Sequence, residues 1–208
     1  MAGGPADEIH VVDDDEAVRD SLRFLLESAG FAVVVHPSAE DFLALAAGRD
    51  IGCVLTDVRM PGVSGLALQR RLQAQAVPVA VIVMTGHGDV PLAVQAMKDG
   101  ALDFLEKPFD DAALLQAVRR ALAASRAMRE QAVASRAAAA KLAALTPREI
   151  EVLAGLVAGQ SSKQIARDLG ASPRTIEVHR TRVMAKLGVT SLPELVRTVH
   201  AAQLGAPA

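Results

Sequence analysis

Apolar and polar positions follow two alternating rhythms over the first 120 residues. Five short apolar runs have strand length: Glu8–Val12, Phe31–Val35, Ile51–Thr56, Val79–Met84 and Leu102–Leu105. Between them, apolar positions recur at helical spacing. After the first run, Val18, Leu22, Leu25, Leu26 and Ala29 line one helix face, and Gly30 closes it. Ser38 caps a second helix that runs to Gly48. A loop rich in Gly and Pro, Val58–Gly65, precedes a helix to about Gln75. Thr85–Gly88 reads as a turn and Asp89–Lys98 as a helix ended by Gly100. The third run is continuously apolar, which suits a strand buried on both faces. Strands alternating with helices predict a parallel sheet covered on both sides.

A fifth helix starts near Asp110 and carries Leu114, Leu115, Val118 and Leu122. It continues into an Ala-rich neck, residues 123–143, which contains neither Gly nor Pro and is built of strong helix formers. Its heptads are not sustained, so a semi-rigid helical linker accounts for it better than a coiled coil. Beyond it the chain reads as short helices with legible starts. Thr146-Pro147-Arg148-Glu149 and Ser161-Ser162-Lys163-Gln164 are capping boxes, and Ser172-Pro173 and Ser191-Leu192-Pro193-Glu194 open two further helices. A tight Leu169-Gly170-Ala171 turn between the second and third of these marks a helix-turn-helix.

Charge divides the chain into the same three parts. The net charge is −2, but residues 1–118 carry −10, residues 119–144 carry +5 and residues 145–208 carry +3. Such asymmetry favours a metal or phosphate site in one part and nucleic acid in another. The single cysteine, Cys53, excludes an internal disulfide and a Cys-based zinc site and points to a reducing, cytoplasmic setting. No apolar run reaches membrane-spanning length, and no basic stretch opens a signal peptide, so no membrane partner is expected. Aromatic residues are 2% of the chain, all Phe, which disfavours base stacking as a mode of nucleic-acid binding.

In open α/β sheets, ligands bind beyond the carboxyl ends of the strands. Those ends carry Asp13 and Asp14, Asp57, Thr85, and Glu106-Lys107-Pro108. Three carboxylates in one place repel one another, and a hard cation with oxygen ligands relieves this. Mg²⁺ fits because it takes few protein ligands and keeps its waters, and a lone lysine with a hydroxyl suits a phosphoryl group. Taken singly, each acid reads as a solvated loop residue; it is their placement at the ends of different strands that points to a site.

Val11-Val12-Asp13-Asp14, Thr56-Asp57-Val58-Arg59-Met60-Pro61-Gly62, Met84-Thr85-Gly86-His87 and Lys107-Pro108-Phe109 together resemble the receiver domain of bacterial response regulators, over about residues 7–125. The resemblance implies a flavodoxin-like fold, a five-stranded parallel sheet in the order 2-1-3-4-5; the four short helices of the tail make a separate all-α helix-turn-helix domain after it. It implies that Asp57 is the phosphoacceptor and that the chain is no enzyme beyond phosphoryl acceptance and slow self-dephosphorylation. Asp14, Asp57 and the Arg59 carbonyl would hold Mg²⁺, or Mn²⁺ in its place, with Asp13 acting through water. Lys107 and Thr85 would contact the phosphoryl group, Phe104 would swing inward in response, and the Lys107–Pro108 bond would be cis.

In the tail, Pro173–Leu187 is the candidate recognition helix, with Ile176, Val183 and Leu187 facing inward. Its other face presents Arg174, Glu177, Val178, Thr181 and Arg182, a mixture suited to base edges and phosphates of a major groove. Lys163, Arg167, Arg180 and Lys186 are further candidate phosphate contacts, although a basic residue taken alone reads more simply as solvated helix surface. His179 reads as a packing or phosphate-contact histidine rather than a metal ligand. Leu145 to Gly159, Lys163-Gln164-Ile165-Ala166 and Ser172 to Arg180 resemble the LuxR/NarL-type DNA-binding domain. By that resemblance Glu177, Val178 and Thr181 face the bases; relatives often carry Lys at the first and last of these positions.

The segment Met84–Phe109 is most similar to the FixJ-like subfamily. That implies a two-component transcriptional regulator with a receiver at 1–122, a helical linker at 123–143 and a DNA-binding domain at 144–208. It takes a phosphoryl group from a sensor histidine kinase, dimerises through helix 4 and strand 5, and binds promoter DNA, with RNA polymerase as a further partner. A haloacid-dehalogenase-type phosphatase is the rival enzyme reading, since His10–Asp15 contains an Asp-x-Asp. It places its nucleophile on the first strand, however, and a second acidic motif is missing late in the chain. A constitutive DNA-binding protein with a vestigial receiver is the other alternative, opposed by the intact set of Asp13, Asp14, Asp57, Thr85 and Lys107.

Overall fold

The computed structural model describes residues 7–46, 49–86 and 90–203. The expected end of the second helix at Gly48, the turn through His87 and Gly88, and the helix start at Asp89 therefore lie outside the described residues. The chain divides into two compact units, Met1–Arg129 and Glu130–Ala208.

The first unit alternates strand and helix as the apolar pattern predicts: β1 (Ile9–Val12), α1 (Glu16–Ser28), β2 (Val33–His36), α2 (Ala39–Ala46), β3 (Cys53–Asp57), α3 (Gly65–Ala74), β4 (Ala80–Thr85), α4 (Val90–Lys98), β5 (Asp103–Glu106) and the first part of α5 (Asp111–Ala143). The sheet order is β2-β1-β3-β4-β5, with every pair parallel. β1 and β4 are fully buried, whereas the edge strands β2 and β5 are mostly half-buried. Side chains alternate across the pleat. Val12, Val54, Val81 and Val83 pack with α2, α3 and α4, through Phe42, Leu68, Leu72 and Ala96. Ile9, Val11, Leu55, Ile82 and Met84 pack with α1 and α5, through Leu22, Leu26, Leu114 and Val118.

Strand limits shift by one or two residues, and for definite reasons. Phe31 was expected to open β2, but its N–H closes α1 on the Leu26 carbonyl at 3.0 Å, with Gly30 turning the chain at φ +86°. β3, β4 and β5 each extend one residue beyond the apolar run. Asp57 stays in register with Met84, and Thr85 with Glu106, so polar residues complete the ladder at its carboxyl edge.

α5 is a single helix of 33 residues. In the first unit it is fastened beyond the sheet by Ser125, whose hydroxyl accepts the Ala80 N–H at 2.7 Å, and by Arg126, which makes two hydrogen bonds to Asp7. Arg129 donates to the Ile51 carbonyl. Two arginines of the basic neck are thus engaged with the first unit itself.

The second unit contains the end of α5 and four helices, α6 (Pro147–Val157), α7 (Ser162–Asp168), α8 (Pro173–Leu187) and α9 (Leu192–Gln203). Both expected capping boxes form, Thr146 with Glu149 and Ser161 with Gln164, and Ser172 caps α8. α9 starts at Leu192 as expected: the Ser191 hydroxyl accepts the Glu194 N–H at 3.4 Å, and the Glu194 carboxylate in turn accepts from the Thr190 N–H and hydroxyl. Val152, Leu156, Ile165, Ile176, Val183, Leu187 and Leu195 form the core. Among the described residues, no helix is long and apolar enough to cross a membrane.

Candidate functional site: an acidic edge and a recognition helix

Four strand ends bring Asp13, Asp57, Thr85 and Lys107 to one edge of the sheet. Lys107 Nζ lies 2.7 Å from Asp57 Oδ1 and 2.7 Å from Asp13 Oδ2. Burial alone would push the Lys107 ammonium toward its neutral form; its hydrogen bonds to Asp13 and Asp57 outweigh this and hold its pKa above the usual lysine value. Asp13 is buried, and its second oxygen accepts the Asp15 N–H at 2.9 Å. Asp15 in turn caps α1, so the acidic loop and the helix start form one hydrogen-bonded unit. Asp57 Oδ2 accepts the Arg59 N–H at 2.6 Å. Thr85 is buried, and its carbonyl accepts the Lys107 N–H at 2.7 Å, tying the ends of β4 and β5 together. The Lys107–Pro108 peptide is cis.

The expected gathering of three carboxylates takes a different form. Lys107 occupies the place between Asp13 and Asp57, while Asp14 is exposed and outside these hydrogen bonds. Among the described residues, no group of three or more His, Cys, Asp or Glu side chains is set to hold a metal. Phe104 is half-buried on β5 and lines an apolar groove with Ala93, Val94, Met97 and Lys98 of α4.

Several supporting residues were not evident from the sequence. Gly65 lets α3 start directly against the end of β3: a Cβ there would stand 2.1 Å from the Asp57 carbonyl oxygen. Glu40 on α2 accepts the Val63 N–H at 3.1 Å, bracing the loop after Asp57. Arg19 on α1 donates to the Asp13 carbonyl at 2.7 Å. Behind Asp13 lies a buried imidazole pair, with His10 Nδ1 3.0 Å from His36 Nε2, and Phe42 edge-on to both rings. The His36 carbonyl accepts the Asp13 N–H. The contacts of Gly65, Glu40 and the His10–His36 pair join segments distant in the chain, so no local pattern marks them.

In the second unit, Ile176, Val183 and Leu187 are fully buried, which turns the opposite face of α8 outward. Lys163, Arg174, Glu177, Val178, Thr181 and Arg182 are all exposed. Glu177 accepts from the Ser162 hydroxyl of α7, and the Thr181 hydroxyl turns back to the Glu177 carbonyl at 3.0 Å. His179 is half-buried with its Nδ1 unpaired. Lys186 was expected at a DNA phosphate. It is exposed, and its ammonium donates to Glu149 at 2.7 Å and to the Ala144 carbonyl at 3.1 Å. Lys186 and the Thr146 N–H hold the Glu149 carboxyl down at about 2.

Residues 9–119 match the model of the response regulator receiver domain, and residues 143–199 that of the bacterial regulatory proteins of the luxR family. The transcriptional regulatory protein FixJ of Azorhizobium caulinodans is 58% identical over 189 residues, spanning 91% of this chain and 90% of its own. FixJ of Bradyrhizobium diazoefficiens is 51% identical over 91% of this chain and 92% of its own. Among solved structures, the response regulator StyR aligns with a TM-score of 0.74 at 41% identity, over 93% of this chain and 98% of that one. Full-length FixJ from B. japonicum aligns with a TM-score of 0.58 at 49% identity, over 95% of this chain and 98% of that one. The comparisons lend no support to the phosphatase alternative. With a receiver sheet whose acidic edge is bridged by a lysine, and a helix-turn-helix behind it, the chain belongs to the FixJ-like two-component response regulators with a LuxR-type DNA-binding domain.

Proposed function

We propose that Asp57 accepts a phosphoryl group from a sensor histidine kinase and that the phosphorylated chain dimerises and binds promoter DNA through α8. The observation that carries this reading is the Lys107 ammonium, 2.7 Å from both Asp57 and Asp13. An Asp57 oxygen attacks phosphorus and the kinase's imidazole leaves, so the product is an acyl phosphate with added negative charge. Lys107 is already placed to pair with the phosphoryl oxygens, and the Arg59 N–H fixes the carboxylate plane. Thr85 at the end of β4 is the hydroxyl partner of the phosphoryl group, and Phe104 on the neighbouring strand responds to its movement.

The oxygen donors fit Mg²⁺, or Mn²⁺ in its place: Asp14, Asp57 and the Arg59 carbonyl would hold it, with Asp13 acting through water, and one or two carboxylates are what Mg²⁺ usually takes. When bound, it neutralises charge on the incoming phosphoryl group.

The exposed side chains Val94 and Met97, beside Phe104, support dimerisation through α4 and β5. In the second unit, Lys163, Arg174 and Arg182 serve as phosphate or base contacts, and Glu177, Val178 and Thr181 face the bases. RNA polymerase is the further partner of the DNA-bound dimer. The receiver corresponds to 1–122, the linker to 123–143 and the DNA-binding domain to 144–208. The test is affinity for a duplex selected from a random pool, with and without acetyl phosphate. Wild type is expected to bind more tightly when phosphorylated and Asp57→Asn to be unresponsive; equal gains in both would overturn the reading.

A further inference from the structure

A helix leaves its last carbonyls without partners, and a cation there is favoured by the helix dipole. In the second unit, two helices meet this need for each other. Lys141, in the last turn of α5, donates from Nζ to the Leu187 carbonyl at the end of α8, at 2.9 Å. Lys186, in the last turn of α8, donates to the Ala144 carbonyl just past α5, at 3.1 Å. Gly188 then turns the chain at φ +67°, with Lys141 Nζ 3.5 Å from where its Cβ would be. Leu142 and Leu145 pack into the same core as Leu187. The last turn of the neck is thus built into the DNA-binding unit.

Apolar packing of Ile176, Val183 and Leu187 sets how deeply α8 lies, but such packing is non-directional. Hydrogen bonds at the helix end are directional and resist sliding along its axis. We propose that Lys141 and Lys186 are positioning residues for DNA recognition, holding the register of α8 by reciprocal capping without touching DNA. This rests on the reading of α8 as the recognition helix. It assigns a role to Lys141, in the neck, and reassigns Lys186 from the phosphate-contact set.

The test compares full-length wild type, Lys141→Met and Lys141→Arg, all treated with acetyl phosphate. The specific probe is a duplex selected from a random pool by wild type, and the non-specific probe is poly(dI-dC). Met keeps the aliphatic stem and removes the donor. Lys141→Met is expected to weaken the selected duplex about tenfold, the scale of one good base contact. Its poly(dI-dC) affinity and its salt slope are expected to match wild type, because a lost phosphate contact would lower the slope by about one. Lys141→Arg, which still offers donors to the carbonyl, is expected to restore most of the loss. Unchanged affinity for the selected duplex overturns the proposal, as does a lowered salt slope, which would make Lys141 a direct phosphate contact. An equal loss on both probes also overturns it, since that marks general destabilisation. If wild type enriches no duplex, the reading of α8 fails first and the proposal with it.

Discussion

Lys107 reaches Asp57 with the same ammonium that it gives to Asp13, at 2.7 Å in each case. One cation therefore holds two carboxylates that would otherwise repel across the edge of the sheet. Lys107→Met would leave the buried Asp13 without its counter-charge. We expect a loss of about 2–3 kcal/mol near neutral pH, somewhat below the full cost of breaking a buried pair because Lys107 is partly exposed. Urea unfolding of wild type and variant checks this; undiminished stability in Lys107→Met would show that the shared counter-charge does not hold the pair.

Gly65 stands where α3 meets the Asp57 backbone. A Cβ at 2.1 Å from that carbonyl has no flexible side chain to push aside. Gly65→Ala is expected to destabilise the first unit by about 1–3 kcal/mol, as overpacking does, and to slow phosphoryl acceptance by displacing Asp57. Thermal unfolding together with acetyl phosphate labelling measures this. A variant with native stability and labelling would show that the approach is looser than described.

The His10–His36 pair predicts an acid-sensitive fold. Burial pushes both imidazoles down to about 4 from 6.5, helped at His10 by the Arg49 charge and at His36 by His10. As pH falls below 6.5, the unfolded chain takes up protons that the folded chain refuses. The stability these groups contribute is therefore complete above about 6.5 and declines toward 4. The slope should approach about 1.4 kcal/mol per pH unit for each histidine that titrates only on unfolding. Urea unfolding between pH 6.5 and 5 reads it, and a flat profile there would contradict the buried neutral pair.

The apolar side chains on α4 predict where the phosphorylated chain meets its second copy. Val94 and Met97 are each about half exposed beside Phe104. Met97→Glu should leave acetyl phosphate labelling intact and shift the labelled chain from dimer to monomer, because a charge in a dry contact is costly. Sedimentation of labelled wild type and variant decides; an undisturbed dimer would move the interface elsewhere.

Much of this architecture was legible because local rules carry it. Apolar spacing located five strands, and Ser and Thr followed three residues later by Glu or Gln located helix starts in the second unit. Asp13, Asp57, Thr85 and Lys107 were legible as a group because strand order and strand polarity bring their ends to one edge. What stayed hidden depends on pairs far apart in the chain. Lys186 resembled its exposed basic neighbours until Glu149 and Ala144 came within reach. Gly65 and Glu40 carry no local signal, since their importance lies in the backbone they approach. The basic neck was similarly opaque, with Arg126, Arg129 and Lys141 each finding an acceptor in a separate segment.

The most direct test of the central claim is the intact mass of the chain after incubation with acetyl phosphate and Mg²⁺. The account predicts one added phosphoryl group on wild type and none on Asp57→Asn. A wild-type chain that gains none, or an Asp57→Asn chain that gains as much, would contradict it.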